Sequence, residues 1–107
     1  WGWQYAVRVD GTRTMPTEPR HYTLHLGSDG QLNIRADCNQ AGGRYRLEGS
    51  HLTIAVTHST MAACQPDSLD RQFLADLAVV SAWRLEDSRL YVDLTGGGMM
   101  AFTAVSQ

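Results

Sequence analysis

The chain has 107 residues, 43% hydrophobic and 19% charged, enough for one globular domain with a single core and not for two. Nine basic against eleven acidic residues give a formal net charge of −2 with the four histidines neutral, and no stretch of sequence gathers arginines, so a nucleic-acid partner lacks its electrostatic footprint. Every basic residue from Arg8 to Arg89 is arginine and none is lysine, which excludes Schiff-base, P-loop and low-pKa lysine chemistry; no apolar run approaches the ~20 residues of a membrane-spanning helix.

Taken in order, the chain reads as short alternating runs separated by turn residues. Tyr5, Val7 and Val9 alternate before Asp10-Gly11 and predict a first strand, followed by a polar loop over 12–20. Tyr22, Leu24 and Leu26 pair through the turn Gly27-Ser28-Asp29-Gly30 with Leu32, Ile34 and Ala36. Cys38-Asn39 interrupts the pattern, and Asn39, tolerant of positive φ, together with Gly42-Gly43 predicts a corner between strands. Tyr45 and Leu47 then pair across Gly49-Ser50 with Leu52, Ile54 and Val56.

After Cys64 the period changes. Leu69, Phe73 and Leu77 stand at i, i+4 and i+8 with Leu74 beside them, so a helix is expected over 68–77, capped by Asp67 or Ser68. Asp67 and Asp70 suit the helix dipole without a catalytic role. Three strands follow: Trp83 and Leu85, then Leu90, Val92 and Leu94 beyond Glu86-Asp87-Ser88, then Met100, Phe102 and Ala104 beyond the turn Gly96-Gly97-Gly98. The fold class is mainly β with one helix, an antiparallel barrel-like or strongly coiled sheet of about eight short strands with the helix packed across it. Residues 1–107 make one domain, and a start at Trp1 without Met or leader reads as the mature or excised part of a longer precursor, with any lipid anchor upstream.

No motif for a reaction emerges. His21 and His25 share the polar face of a strand and point to solvent, and His51, His58, Cys38 and Cys64 lack the two-to-four-residue spacing of a structural zinc site, so no metal is expected. No cofactor and no catalytic residue is assigned, because no nucleophile elbow or phosphate loop is present. The two cysteines are compatible with one disulfide, closing a loop of about 27 residues, or with two separate thiols. Trp1 and Trp3 either cover one end of the barrel or form a partner-binding patch.

Certain residues carry a resemblance. The hairpin from Tyr22 to Ile34, Asp37-Cys38-Asn39 with Gly43 and Tyr45, Leu52 and Ile54, the run Ser59-Thr60-Met61-Ala62-Ala63-Cys64, the helix with Phe73 and Leu77, and Leu90, Leu94 and Phe102 together resemble the META domain family, the HslJ-like heat-shock and envelope lipoprotein domains. It covers roughly residues 1–105 and is weakest before Tyr22; where the family often has Gly before Cys-Asn, this chain has Asp37. The resemblance implies a barrel-like sheet with one helix, no established reaction, and a place in the periplasm or on the outer membrane as a lipoprotein, or secreted. It puts one cysteine in each signature segment, which favours a Cys38–Cys64 bridge, and gives Asn39, Gly43, Tyr45, Thr60 and Met61 structural roles. The expected function is non-enzymatic, in stress tolerance or envelope maintenance, through a protein partner or an apolar ligand. Likeness to lipid-binding pilotins of secretion systems gives the alternative: an acyl-chain carrier or pilotin-like protein, with Phe73, Leu77, Trp83, Met100 and Phe102 lining an apolar groove or filling the core.

Overall fold

The alternating runs become strands in a computed structural model that describes residues 1–105. These are β1 (Gly2–Val7), β2 (Arg13–Thr14), β3 (Tyr22–Leu26), β4 (Gln31–Ala36), β5 (Asn39–Glu48), β6 (His51–Ser59), β7 (Val80–Glu86), β8 (Arg89–Leu94) and β9 (Met99–Thr103), with helix α1 (Asp70–Leu77) between β6 and β7. All pairings are antiparallel, in the order β2-β1-β3-β4-β5-β6-β7-β8-β9, and β1 also pairs with β9, so the sheet closes into a ring. The ring is not a regular barrel. At two seams neighbouring strands meet through one residue pair, Gly2↔Thr23 between β1 and β3 and His51↔Ala82 between β6 and β7.

Three local differences from the sequence expectation have physical causes. The ninth strand is β2, two residues inside the stretch expected to be loop, held by Ala6↔Thr14 and Val7↔Arg13. In β1 a register shift between Trp3 and Tyr5 moves the inward face to Trp3 and Ala6, both fully buried, and leaves Val9 exposed beyond the strand. A bulge reassigns faces within a strand, so the alternation of Tyr5, Val7 and Val9 marks the wrong side. The corner also moves: Asn39 and Gly42-Gly43 lie inside the ten-residue β5, and the reversal falls on Asp37 and Cys38, with Asp37 at φ 59°. An Asp adopts that left-handed conformation more readily than bulkier residues, and it stands where a glycine is the usual solution.

Gly43 has a different duty. At the shift in register between β5 and β6, a Cβ on Gly43 would run into the Ala55 carbonyl oxygen, so the two backbones approach only because no side chain intervenes.

The helix begins at Asp70, two residues later than expected, without a side-chain cap from Leu69. Its leading amides are satisfied from outside: the Tyr22 hydroxyl accepts from Leu69 N–H at 3.0 Å and Ser68 Oγ from Asp70 N–H at 3.2 Å. Phe73 and Leu77 face the interior, where Phe73 stacks on Trp3 at 5.0 Å between centroids and meets Tyr22 edge-on at 5.6 Å. The helix thereby packs its apolar face on the core and bonds to the starts of β3 and β5, through Tyr22 and Asn39, where the conspicuous polar residues converge.

Candidate functional site

Cys38, in the turn between β4 and β5, is disulfide-bonded to Cys64, with the Cα atoms 5.6 Å apart. The bridge ties the loop that leaves β6 to the start of β5. Asn39, 3% exposed, organises the same junction. Its Oδ1 accepts from Thr60 Oγ1 and from Ala62 N–H, both at 2.8 Å, and its Nδ2 donates to the Ala62 carbonyl at 2.9 Å and to Asp70 Oδ2 at 3.0 Å. Two acceptor and two donor capacities are thus in use, which satisfies a buried amide. Thr60 adds a third tie, its Oγ1 accepting from Gln40 N–H at 2.9 Å.

Four of the five signature residues divide between two tasks. Asn39 and Thr60 pin the loop, while Gly43 and Tyr45, whose hydroxyl donates to the Gly27 carbonyl, lock β5 against its neighbours. Met61 does neither. It is 90% exposed at the crest of the pinned loop.

The candidate groove residues lie elsewhere. Phe73, Leu77, Met100 and Phe102 are fully buried members of one core cluster, and Trp83 is half-buried against it with its indole N–H donating to the Gly49 carbonyl at 3.0 Å. Four of the five side chains are thus packed interior, and Trp83 lies at the edge of the core. Trp3 is likewise central to the core, so an exposed tryptophan pair does not form, and Trp1 packs against the cluster half-buried. His25 is exposed as expected, whereas His21 sits in a 3-10 turn over Pro19–His21 with Nδ1 3.6 Å from Asp37 Oδ1. Among the described residues no three His, Cys, Asp or Glu side chains group as metal ligands.

Two interactions carry no sequence signal. Asp70 links the helix start to Asn39, and Asp76, in the last turn of α1, pairs with Arg8 at 2.8 Å while 5% exposed. A carboxylate at that helix end opposes the dipole, and the guanidinium compensates it across 68 residues of sequence. The displaced side-chain ionisations lie at the surface: hydrogen bonds from Thr12 hold Asp10 below the usual carboxylate range, and the bond to Glu86 raises Arg84.

The META domain family model matches residues 2–107. The chain belongs to the META domain family. This META domain also resembles two solved structures. One is the NMR structure of a protein from Burkholderia xenovorans, with TM-score 0.75 and 19% identity, covering 100% of this chain and 81% of the other. The other is the crystal structure of a DUF4847 family protein from Bacteroides vulgatus, with TM-score 0.65 and 13% identity, covering 83% and 62%. At these identities the likeness is one of fold. No curated protein matches this META domain. None of its described helices is long and apolar enough to cross a membrane.

Proposed function

We propose that this META domain is a non-enzymatic module of the bacterial envelope that serves stress tolerance or envelope maintenance by binding a protein partner. The observation that carries the reading is the Cys38–Cys64 bridge, which together with Asn39 fixes a loop whose crest exposes Met61. Structural disulfides persist in oxidising compartments, and an exposed, adaptable methionine on a rigid loop suits contact with another protein. The polar groups of the signature bond to one another, which supports a structural role for them over a chemical one.

Two measurements test this in the native bacterium. Thiol alkylation after fractionation should find both cysteines blocked in the envelope fraction, and reduced thiols in the cytoplasm would overturn the assignment. Met61→Glu at unchanged protein level should reproduce the stress sensitivity of a deletion; full protection would remove the loop as the binding surface. The acyl-carrier or pilotin-like reading draws less support, since its proposed lining is packed interior. Native mass spectrometry showing a co-purified lipid would reverse that order, and turnover of a substrate abolished by one polar substitution would defeat the non-enzymatic reading.

A further inference from the structure

We propose that the outer face of β3–β6 holds a binding site for a phosphate-bearing, hydroxyl-rich small molecule, centred on Arg35. The first support is charge segregation. Acids outnumber bases in the chain, yet the outward-facing charged residues of these four strands are Arg35, Arg44, Arg46 and Glu48, and Glu48 pairs with Arg46 at 2.8 Å. Arg35 and Arg44 reach carbonyls only, Arg35 Nε donating to Asp37 O and Arg44 Nη2 to Asp29 O, each at 3.2 Å. The carboxylates of those two turn residues have other neighbours: Asp37 Oδ1 lies 3.6 Å from His21 Nδ1, and Asp29 accepts from Gln31 N–H at 3.1 Å. With its Nε tied down, the Arg35 guanidinium is oriented and keeps its terminal N–H groups for an oxyanion, which a planar fork binds in bidentate fashion.

Register supplies the second support. Thr23, Arg35 and Gln40 form one row across β3, β4 and β5, and His25, Asn33, Gly42 and His58 form the next across β3 to β6. Between them lies an open hollow of about 410 Å³ lined by Thr23, His25, Asn33, Ile34, Arg35, Gln40 and Ala41, without a carboxylate among these residues. Gly42 keeps the second row low, since a Cβ there would meet the His58 ring at 2.8 Å. The chemistry is complementary to one ligand class: a guanidinium for the phosphate, and the Asn33 and Gln40 amides and the Thr23 hydroxyl, each donor and acceptor, for neighbouring hydroxyls. A sugar phosphate and the hydroxyl-bearing phosphate headgroup of a phospholipid such as phosphatidylglycerol share that chemistry.

The test is an NMR titration of the 107-residue chain with glucose 6-phosphate, inorganic phosphate and glucose, following backbone amides, the Asn33 and Gln40 side-chain amides and Arg35 Nε. Saturable shifts confined to β3–β6 with glucose 6-phosphate, weaker ones with phosphate and none with glucose are expected. Arg35→Gln should weaken glucose 6-phosphate binding about tenfold, as expected for loss of a charge-assisted contact, and Asn33→Ala by a smaller factor. Arg13→Gln, on β2 with its guanidinium over the Tyr5 ring, should change nothing. Sedimentation with phosphatidylglycerol vesicles that depends on Arg35 would identify a lipid headgroup as the source, and its absence alongside sugar-phosphate binding a free ligand. Shifts that fail to saturate, spread to β8 and β9, or survive Arg35→Gln unchanged would overturn the site.

Discussion

Asn39→Ala isolates the junction on which the loop depends. The substitution removes two acceptor and two donor contacts, at 2.8, 2.8, 2.9 and 3.0 Å. At a net value of about 1 kcal/mol each, their sum is at most about 4 kcal/mol. Thr60 and Ala62 lie at the surface, where water replaces a lost partner, so the expected loss is about 2–3 kcal/mol. For a domain of this size that lowers Tm by roughly 10–20 °C. Urea unfolding followed by tryptophan fluorescence under oxidising conditions measures it, because the intact bridge keeps the unfolded states of variant and parent comparable. A loss below about 0.5 kcal/mol, the scale of an ordinary surface change, would refute the claim that Asn39 organises the junction. Asn39→Asp sharpens the test by placing a carboxylate where an amide faces Asp70 Oδ2. Two carboxylates in contact raise the folded-state pKa, so this variant's deficit should exceed that of alanine at pH 7, grow as pH rises through the raised value and shrink toward acid.

Further outcomes follow from named contacts. Reduction, or the double change Cys38→Ser and Cys64→Ser, should cost about 3.5 kcal/mol for a loop of this length, and the oxidised mass should lie about 2 Da below the reduced mass, equal masses excluding the bridge. Gly43→Ala should cost about 3 kcal/mol or more by driving β5 from β6, whereas Gly49→Ala, with open space around it at φ 62°, should cost only about 1 kcal/mol in the same unfolding assay. Arg8→Ala should cost about 2 kcal/mol, because it strands the buried Asp76 carboxylate beside a partner that was itself one-third exposed. Adding Asp76→Asn should recover most of that loss; no recovery would show that the Arg8 stem, not its charge, matters.

Most of the ring was legible because β3, β4, β8 and β6 as far as Val56 alternate, and helix period in Leu69, Phe73 and Leu77 is clear over about two turns. β1 was misread where a bulge exchanges faces, a backbone event that leaves no mark on residue type. Gly42-Gly43 suggested a corner, but glycine also serves close approach, and the register needed it for that. The resemblance singled out Asn39, while its partners on loop and helix come from 21 to 31 residues away and no local pattern encodes them. Arg35 and Arg44 look dispersed in the sequence; only register sets them on one face.

The two seams divide the ring unequally in time as well as in space. The strands β3 to β6 are hairpin neighbours and can zip as the chain emerges, each pairing closing only a short loop. The first strand has only the two-residue β2 as a hairpin neighbour. β1 meets β3 at a single pair and finds its main partner in β9, with Trp3 opposite Phe102. The tryptophan at the centre of the core therefore stays without its place until β9 has been made, and closure of the ring is the step that turns a string of hairpins into a domain. A nascent chain halted before β9 would expose that tryptophan together with the unfilled interior, a state for chaperones or proteases to recognise.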